Sequence, residues 1–207
     1  QTSISGQQLP ENSNAYKWRD SNMHWNYKDG EPVVVEVCSN FDSVELFLNG
    51  KSLGSRKGAD SPDKLCRWTI PYEAGTLIAK ATSGEDEIST ELKTTSEAVG
   101  FTLTADKIEL KADAYDVSHF IVQLVDKEGL PVKTENAKIE FEVVGDAKIL
   151  GVDNGARSNI QDFQSNSLTT AKGRCLMILQ STKNAGTVKV IAKAQGYDNQ
   201  EVTLQVK

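Results

Sequence analysis

The run Ser43-Val44-Glu45-Leu46-Phe47-Leu48 alternates apolar and polar positions, and Asn49-Gly50 follows it before Lys51-Ser52-Leu53. Alternation with period two places Val44, Leu46 and Leu48 on one face of a strand. Asn-Gly supplies the two left-handed residues of a type I′ turn, so the chain must double back here into a β-hairpin. Period-two patterning recurs along the whole chain. Val33, Val35 and Val37 share a face in Pro32-Val33-Val34-Val35-Glu36-Val37-Cys38. Further strands are expected over 67–70, 76–81 and 88–94, then over 101–104, 108–110, 120–125, 139–143, 148–152, 174–181, 187–194 and 201–206. No helix of ten or more residues is expected, and the polar stretch 156–170 reads as a long loop.

An internal repeat organises these strands. Ala74-Gly75-Thr76-Leu77-Ile78-Ala79-Lys80-Ala81 is echoed by Ala185-Gly186-Thr187-Val188-Lys189-Val190-Ile191-Ala192-Lys193-Ala194, with two extra residues in the second copy. A glycine follows each copy, Gly84 and Gly196, and then a last alternating strand. A repeat of about one domain length implies two similar domains in tandem. The fold class is therefore all-β, two tandem immunoglobulin-like β-sandwich domains, over residues 1–97 and 98–207. The linker falls near Thr94-Thr95-Ser96-Glu97-Ala98, short and polar.

Charge and composition exclude several functions. Net charge is −6, with ten Lys/Arg against fifteen Asp/Glu up to residue 97 and thirteen against fourteen beyond it. No basic patch for nucleic acid is present. No apolar run approaches the ~20 residues that span a bilayer, so membrane insertion is not expected. The N-terminus lacks the basic and apolar regions of a signal peptide, and the chain reads as a mature or excised piece of something longer. Three cysteines, Cys38, Cys66 and Cys175, with no C-x-x-C pair, point away from a disulfide framework or zinc site. Cys38 and Cys175 are expected as small core residues. A Cys38–Cys66 bridge between sheets stays open.

Catalytic patterns are missing. The two histidines, His24 and His119, belong to no Ser-His-Asp spacing, and no P-loop, G-x-S-x-G or H-E-x-x-H pattern occurs. Asp113, Asp116 and Asp153 match no calcium loop. No cofactor is expected. The aromatic residues Trp18, Trp25 and Tyr27 carry the one binding hypothesis, a carbohydrate surface on which sugar faces stack; packing beneath the first sandwich is the competing reading. Trp68, inside a strand, is expected in the core.

The segments Met23-His24-Trp25-Asn26-Tyr27, Gly30-Glu31-Pro32-Val33-Val34-Val35 and 39–54, then Trp68-Thr69-Ile70-Pro71-Tyr72 with Ala74-Gly75-Thr76-Leu77, resemble the domain that follows the catalytic barrel in bacterial glycoside hydrolase family 2 β-galactosidases, notably those of Bacteroidetes. Leu103-Thr104-Ala105-Asp106, Val152-Asp153-Asn154-Gly155 and Leu179-Gln180-Ser181-Thr182 are similar to the C-terminal domain of the same enzymes, itself related to invasin-like repeats. The chain departs from that pattern at Tyr27, where Trp is usual, and around 156–166. The resemblance implies a non-catalytic accessory region, whose partners are the barrel and N-terminal domains of a parent chain, and a periplasmic, secreted or cell-surface location. It places the catalytic glutamates in the barrel and transfers no catalytic residue here. An independent carbohydrate-binding module and a cell-surface stalk are the alternatives.

Overall fold

The computed structural model describes residues 2–4, the latter two by backbone alone, and 21–207. The chain divides into two compact units, with the division between Thr94 and Thr95. The first contains β1 (Thr2–Ile4), β2 (Pro32–Cys38), β3 (Ser43–Leu48), β4 (Lys51–Arg56), β5 (Leu65–Pro71), β6 (Thr76–Ser83) and β7 (Asp86–Lys93), with one 3-10 turn at Gly58–Asp60. The second contains β8 (Gly100–Ala105), β9 (Glu109–Leu110), β10 (Val117–Val125), β11 (Lys138–Val144), β12 (Ala147–Asp153), β13 (Ser167–Thr169), β14 (Arg174–Ser181), β15 (Gly186–Ala194) and β16 (Gln200–Val206). The fold is all-β, of immunoglobulin-like sandwich type.

In the first unit the sheets run β1-β2-β5 and β4-β3-β6-β7. Their facing residues form a core of Trp25, Val33, Val35, Leu46, Trp68 and Leu77, among others. The expected hairpin is present: Leu48 pairs with Lys51, and Asn49 and Gly50 have φ of 50° and 80°. In the second unit the sheets run β12-β14-β10-β8 and β13-β11-β15-β16-β9, with β9 parallel to β16 and every other pair antiparallel. Phe120, Phe141, Met177, Leu179 and Val190 lie at the centre of its core, each at most 1% exposed. The repeated segments form β6 and β15, which hold the same place in their sheets. Each lies between an earlier strand (β3, β11) and the strand that follows it (β7, β16). Gly84 and Gly196, both at positive φ, make the turn out of each.

Three expectations need correction. Cys38 is exposed, not core. It occupies the parity of Val34 rather than that of Val33 and Val35, and period two sends it to the outer face. A Cys38–Cys66 bridge between sheets does not form either. The two residues sit on β2 and β5, neighbours in one sheet, where Cys66 pairs with Val37 and Cys38 with Leu65. Cross-strand partners share a face, so the two thiols point to opposite faces. Finally, the loop 156–170 contains β13, which adds to the edge of β11 through Ile139 and Leu168. Leu168 is buried, and its neighbours are polar, so the strand is too short to show a period.

Candidate functional site

The segment that precedes β2 brings the aromatic residues together. Trp25 is fully buried and its indole N–H donates to the Glu73 carbonyl at 2.9 Å. Its ring centroid lies 5.2 Å from that of Tyr72 and 6.1 Å from that of Tyr27. Tyr27 and Tyr72 meet edge to face at 6.0 Å, and His24 lies 5.0 Å from Tyr27. Such tilted and edge-on pairs are the favoured aromatic geometries.

A hydroxyl network closes the cluster. Tyr27 donates to Thr2 Oγ1 at 2.7 Å, and Thr2 donates to the His24 carbonyl at 2.9 Å. Thr94 donates to the Trp25 carbonyl at 2.9 Å and accepts from the Gly75 N–H at 3.0 Å. With its one proton given to Trp25, Thr94 Oγ1 accepts from Tyr72 Oη, 3.0 Å away. The polar atoms of the cluster are thus turned inward, toward one another and the backbone.

Of the sequence-predicted site residues, Trp25 and Tyr27 are adjacent in this cluster. Trp25 offers no exposed ring face, and Tyr27 is half-buried with its hydroxyl engaged. Trp18 lies outside the described residues. Tyr72, Glu73 and Thr94 belong to the cluster and were not singled out in the sequence, because a tyrosine and a threonine at strand ends carry no periodic signal.

A second feature lies at the 3-10 turn. A recess of about 280 Å³ is lined by Ser55, Arg56, Lys57, Asp60, Cys66 and Arg67. Arg67 Nε donates to Glu36 Oε1 at 2.7 Å, and its other guanidinium nitrogens hold the Asp63 carboxylate. The Arg67 hydrogen bonds keep the Asp63 carboxyl well below the usual carboxylate range. The Arg56 guanidinium stands 5.4 Å over the Trp68 ring, whose buried indole N–H finds no hydrogen-bond partner among the described residues. The chemistry available here is ion pairing. Among the described residues no nucleophile paired with a base lines the recess.

Among the described residues no group of three or more His, Cys, Asp and Glu is placed to hold a metal ion. Asp113, Asp116 and Asp153 are instead occupied in their own loops. Asp113 accepts from the N–H of Tyr115 and Asp116, Asp116 binds Lys107, and Asp153 accepts from Asn159 Nδ2 at 3.0 Å. His119 forms an exposed pair with Asp106 at 2.8 Å, and the neighbouring Ser118 is buried with its hydroxyl hydrogen-bonded to Asp106 and to the Lys107 carbonyl. Among the described residues no helix is long and apolar enough to cross a membrane.

The family profile of Glycoside hydrolase family 2 C-terminal domain 5 matches residues 101–203, and that of Domain of unknown function (DUF4982) matches residues 30–89. The β-galactosidase BoGH2A of Bacteroides ovatus is 29% identical over 187 residues, covering 87% of this chain and 22% of the relative. A β-glucuronidase of Formosa agariphila is 27% identical over 88% of this chain and 19% of its own length. Among solved structures, a glycosyl hydrolase family 2 member from Bacteroides cellulosilyticus superposes with a TM-score of 0.89 at 30% identity, covering all of this chain and 28% of that one. A β-glucuronidase from glycoside hydrolase family 2 superposes at 0.79 with 25% identity. The sandwich fold and these matches define a class: the C-terminal domains of bacterial family 2 glycoside hydrolases. This chain belongs to that family, and it spans about a fifth of the length of the curated relatives it matches.

Proposed function

We propose that this chain is the non-catalytic C-terminal accessory region of a family 2 glycosidase, a β-galactosidase in preference to a β-glucuronidase, and that it supports a catalytic barrel carried elsewhere in the same polypeptide. The observation that carries the reading is the match of residues 101–203 to a family 2 C-terminal domain within relatives four to five times longer. In this reading residues 1–97 form the domain that follows the barrel and residues 98–207 the terminal one. Its partners are the barrel and N-terminal domains, and the location is periplasmic, secreted or at the cell surface. Trp25 and Tyr27 serve packing, since a buried ring whose N–H is already bonded has no face to offer a sugar.

The test is an assay of the full-length polypeptide with p-nitrophenyl β-galactoside and p-nitrophenyl β-glucuronide, beside the 207-residue chain alone. Galactoside turnover by the full-length protein and none by the isolated chain is the expected result. Turnover of the glucuronide alone moves the assignment within the family. A full-length polypeptide with no glycosidase activity and no barrel overturns it.

A further inference from the structure

The loop between β2 and β3 and the connection between β4 and β5 together line an open recess of about 760 Å³. Clefts of this size are typical of ligand sites. The first loop contributes Asn40, Phe41 and Asp42, and the second Lys57, Gly58 and Lys64. Both loops are fixed by their own bonds. Ser39 Oγ accepts from the Phe41 N–H at 3.1 Å, and Phe41 packs part of its ring on the first core. In the second loop the Asp60 and Ser61 N–H groups donate to the Lys57 and Gly58 carbonyls at 3.1 Å, and the Lys64 N–H donates to the Ser61 carbonyl at 3.0 Å. Lys64 holds φ of 55°, a left-handed conformation uncommon outside glycine. Such backbone persists where its surroundings dictate it, and it gathers at ligand sites.

The polar groups left over in this recess define its chemistry. Among the described residues Lys57 and Lys64 form no ion pair, and the Asn40 carboxamide makes no hydrogen bond. Lys80, Lys93, Lys107, Lys189, Lys193 and Lys207, by contrast, each stand within ion-pair reach of a carboxylate. The nearby acids are engaged or lie elsewhere. Asp42 Oδ2 accepts from Ser83 Oγ at 2.6 Å, Asp63 is held by Arg67, and Asp60 lines the neighbouring recess with Arg56 and Arg67. Two cations thus share one recess without a carboxylate partner, in a chain whose net charge is −6. Ammonium groups are point charges that suit a carboxylate or a phosphate. A bare inorganic anion would need nothing more. This recess adds the apolar surface of Phe41 and the hydrogen-bonding side chains of Asn40 and Asp42. A sugar ring that bears a carboxylate uses all of these: it has an apolar face, hydroxyl groups and a negative charge.

We propose that the recess between residues 39–42 and 57–64 binds an acidic saccharide, a glycan that carries uronate residues, with the carboxylate at Lys57 and Lys64, the ring against Phe41 and hydroxyl groups at Asn40 and Asp42. The choice of a saccharide rests on the reading of this chain as part of a glycosidase.

Calorimetric titration of the 207-residue chain with trigalacturonate at low salt tests the site. Binding is expected with a Kd of about 0.1–1 mM, and neutral galactotriose is expected to bind at least ~tenfold more weakly. The double variant Lys57→Gln with Lys64→Gln is expected to weaken trigalacturonate about tenfold, whereas Lys93→Gln leaves it unchanged. The substituted lysines are exposed, so the melting curve should not move, which separates lost binding from lost folding. Raising the salt to 1 M should weaken the binding, because the charges are solvent-exposed. No binding of trigalacturonate, or equal binding by the wild type and the folded double variant, overturns the proposal. Galactotriose binding as tightly as trigalacturonate removes the role given to the two lysines and overturns it as well. Inorganic phosphate or triglutamate binding as tightly as trigalacturonate overturns the saccharide assignment. An active full-length glycosidase whose C-terminal chain binds no trigalacturonate sinks this site alone, and trigalacturonate binding beside an inactive full-length polypeptide sinks the glycosidase reading alone.

Discussion

A Cβ on Gly75 would stand 1.8 Å from Asn49 Oδ1. The Asn49 carboxamide occupies that space because it ties the β3–β4 turn to the start of β6. Its Nδ2 donates to Glu73 Oε1 at 2.8 Å and to the Ala74 carbonyl at 3.0 Å, and its Oδ1 accepts from the Thr76 N–H at 2.9 Å. Gly75 also holds φ of 138°, where an L side chain is strained. Gly186, its counterpart in the repeat, has open space around its Cβ position and no positive φ.

The two glycines should therefore answer the same substitution with opposite signs. Gly75→Ala must displace the Asn49 side chain and strain the backbone, at a cost of about 2–3 kcal/mol. Gly186→Ala should be neutral or stabilise by ~0.5 kcal/mol through the unfolded chain. Urea unfolding followed by circular dichroism distinguishes the two. Equal effects would mean that the repeated Ala-Gly-Thr is a matter of strand propensity and not of the Asn49 contact.

Trp25 gives the second prediction. Among the described residues it is the largest fully buried side chain, and its N–H is bonded. Trp25→Ala should destabilise the first unit by about 3–5 kcal/mol, the range of large aromatic truncations. Tyr27→Phe removes only the hydroxyl bond to Thr2 and should cost about 1 kcal/mol. Titration of the wild-type chain with galactose or lactose, followed by tryptophan fluorescence, should give a flat response. A saturable signal that Tyr27→Phe or Tyr27→Ala abolishes, with folding intact, would restore the sugar-binding reading.

Most of the fold is legible in the sequence because each sandwich strand exposes one face, which writes itself as period two. Asn49-Gly50 fixed the hairpin turn since few other pairs tolerate two positive φ values. Where both faces of a strand carry apolar residues, the pattern says only that a strand is there, and the outward Leu176 and Ile178 emerge only from the register of β14 against β10 and β12. β13 was missed because three residues cannot display a period. The aromatic cluster was half legible. Trp25 and Tyr27 are two positions apart in sequence, but Tyr72, Glu73 and Thr94 join them only through tertiary packing, which no local pattern encodes.

Thiol chemistry gives a third prediction, with a sign that follows from burial. Cys175 lies 2% exposed in the second core, and burial pushes its thiol from 9.0 up to about 12. In the unfolded chain the thiol ionises near its ordinary value, so the unfolded state loses the proton first. Stability linked to Cys175 is complete below pH 9 and is lost as pH rises from about 9 to 12. A three-unit difference corresponds to about 4 kcal/mol at most. The stability of the wild type relative to Cys175→Ala should therefore decline across that window and stay constant below it. At pH 8 a thiol reagent should modify the exposed Cys38 quickly and Cys175 only through unfolding.

The Asp63–Arg67 pair gives the last prediction, at the acid end. The Arg67 guanidinium, with Ser61 and the Leu65 N–H, holds the Asp63 carboxyl below the ordinary 3.8. A carboxylate whose folded value is depressed contributes stability above its unfolded value, and that contribution disappears as pH falls through the folded one. The loss should begin just below pH 4 and continue to the lowest pH reached. Because the pair is exposed to solvent, salt should weaken it, so the difference between wild type and Asp63→Asn should be visible at low ionic strength and shrink at 1 M salt, where the Debye length is ~3 Å. Acid titrations of both proteins by circular dichroism at two salt concentrations make the comparison. If the variant loses stability below pH 4 in parallel with the wild type, the guanidinium is held by Glu36 alone and Asp63 contributes nothing to the fold.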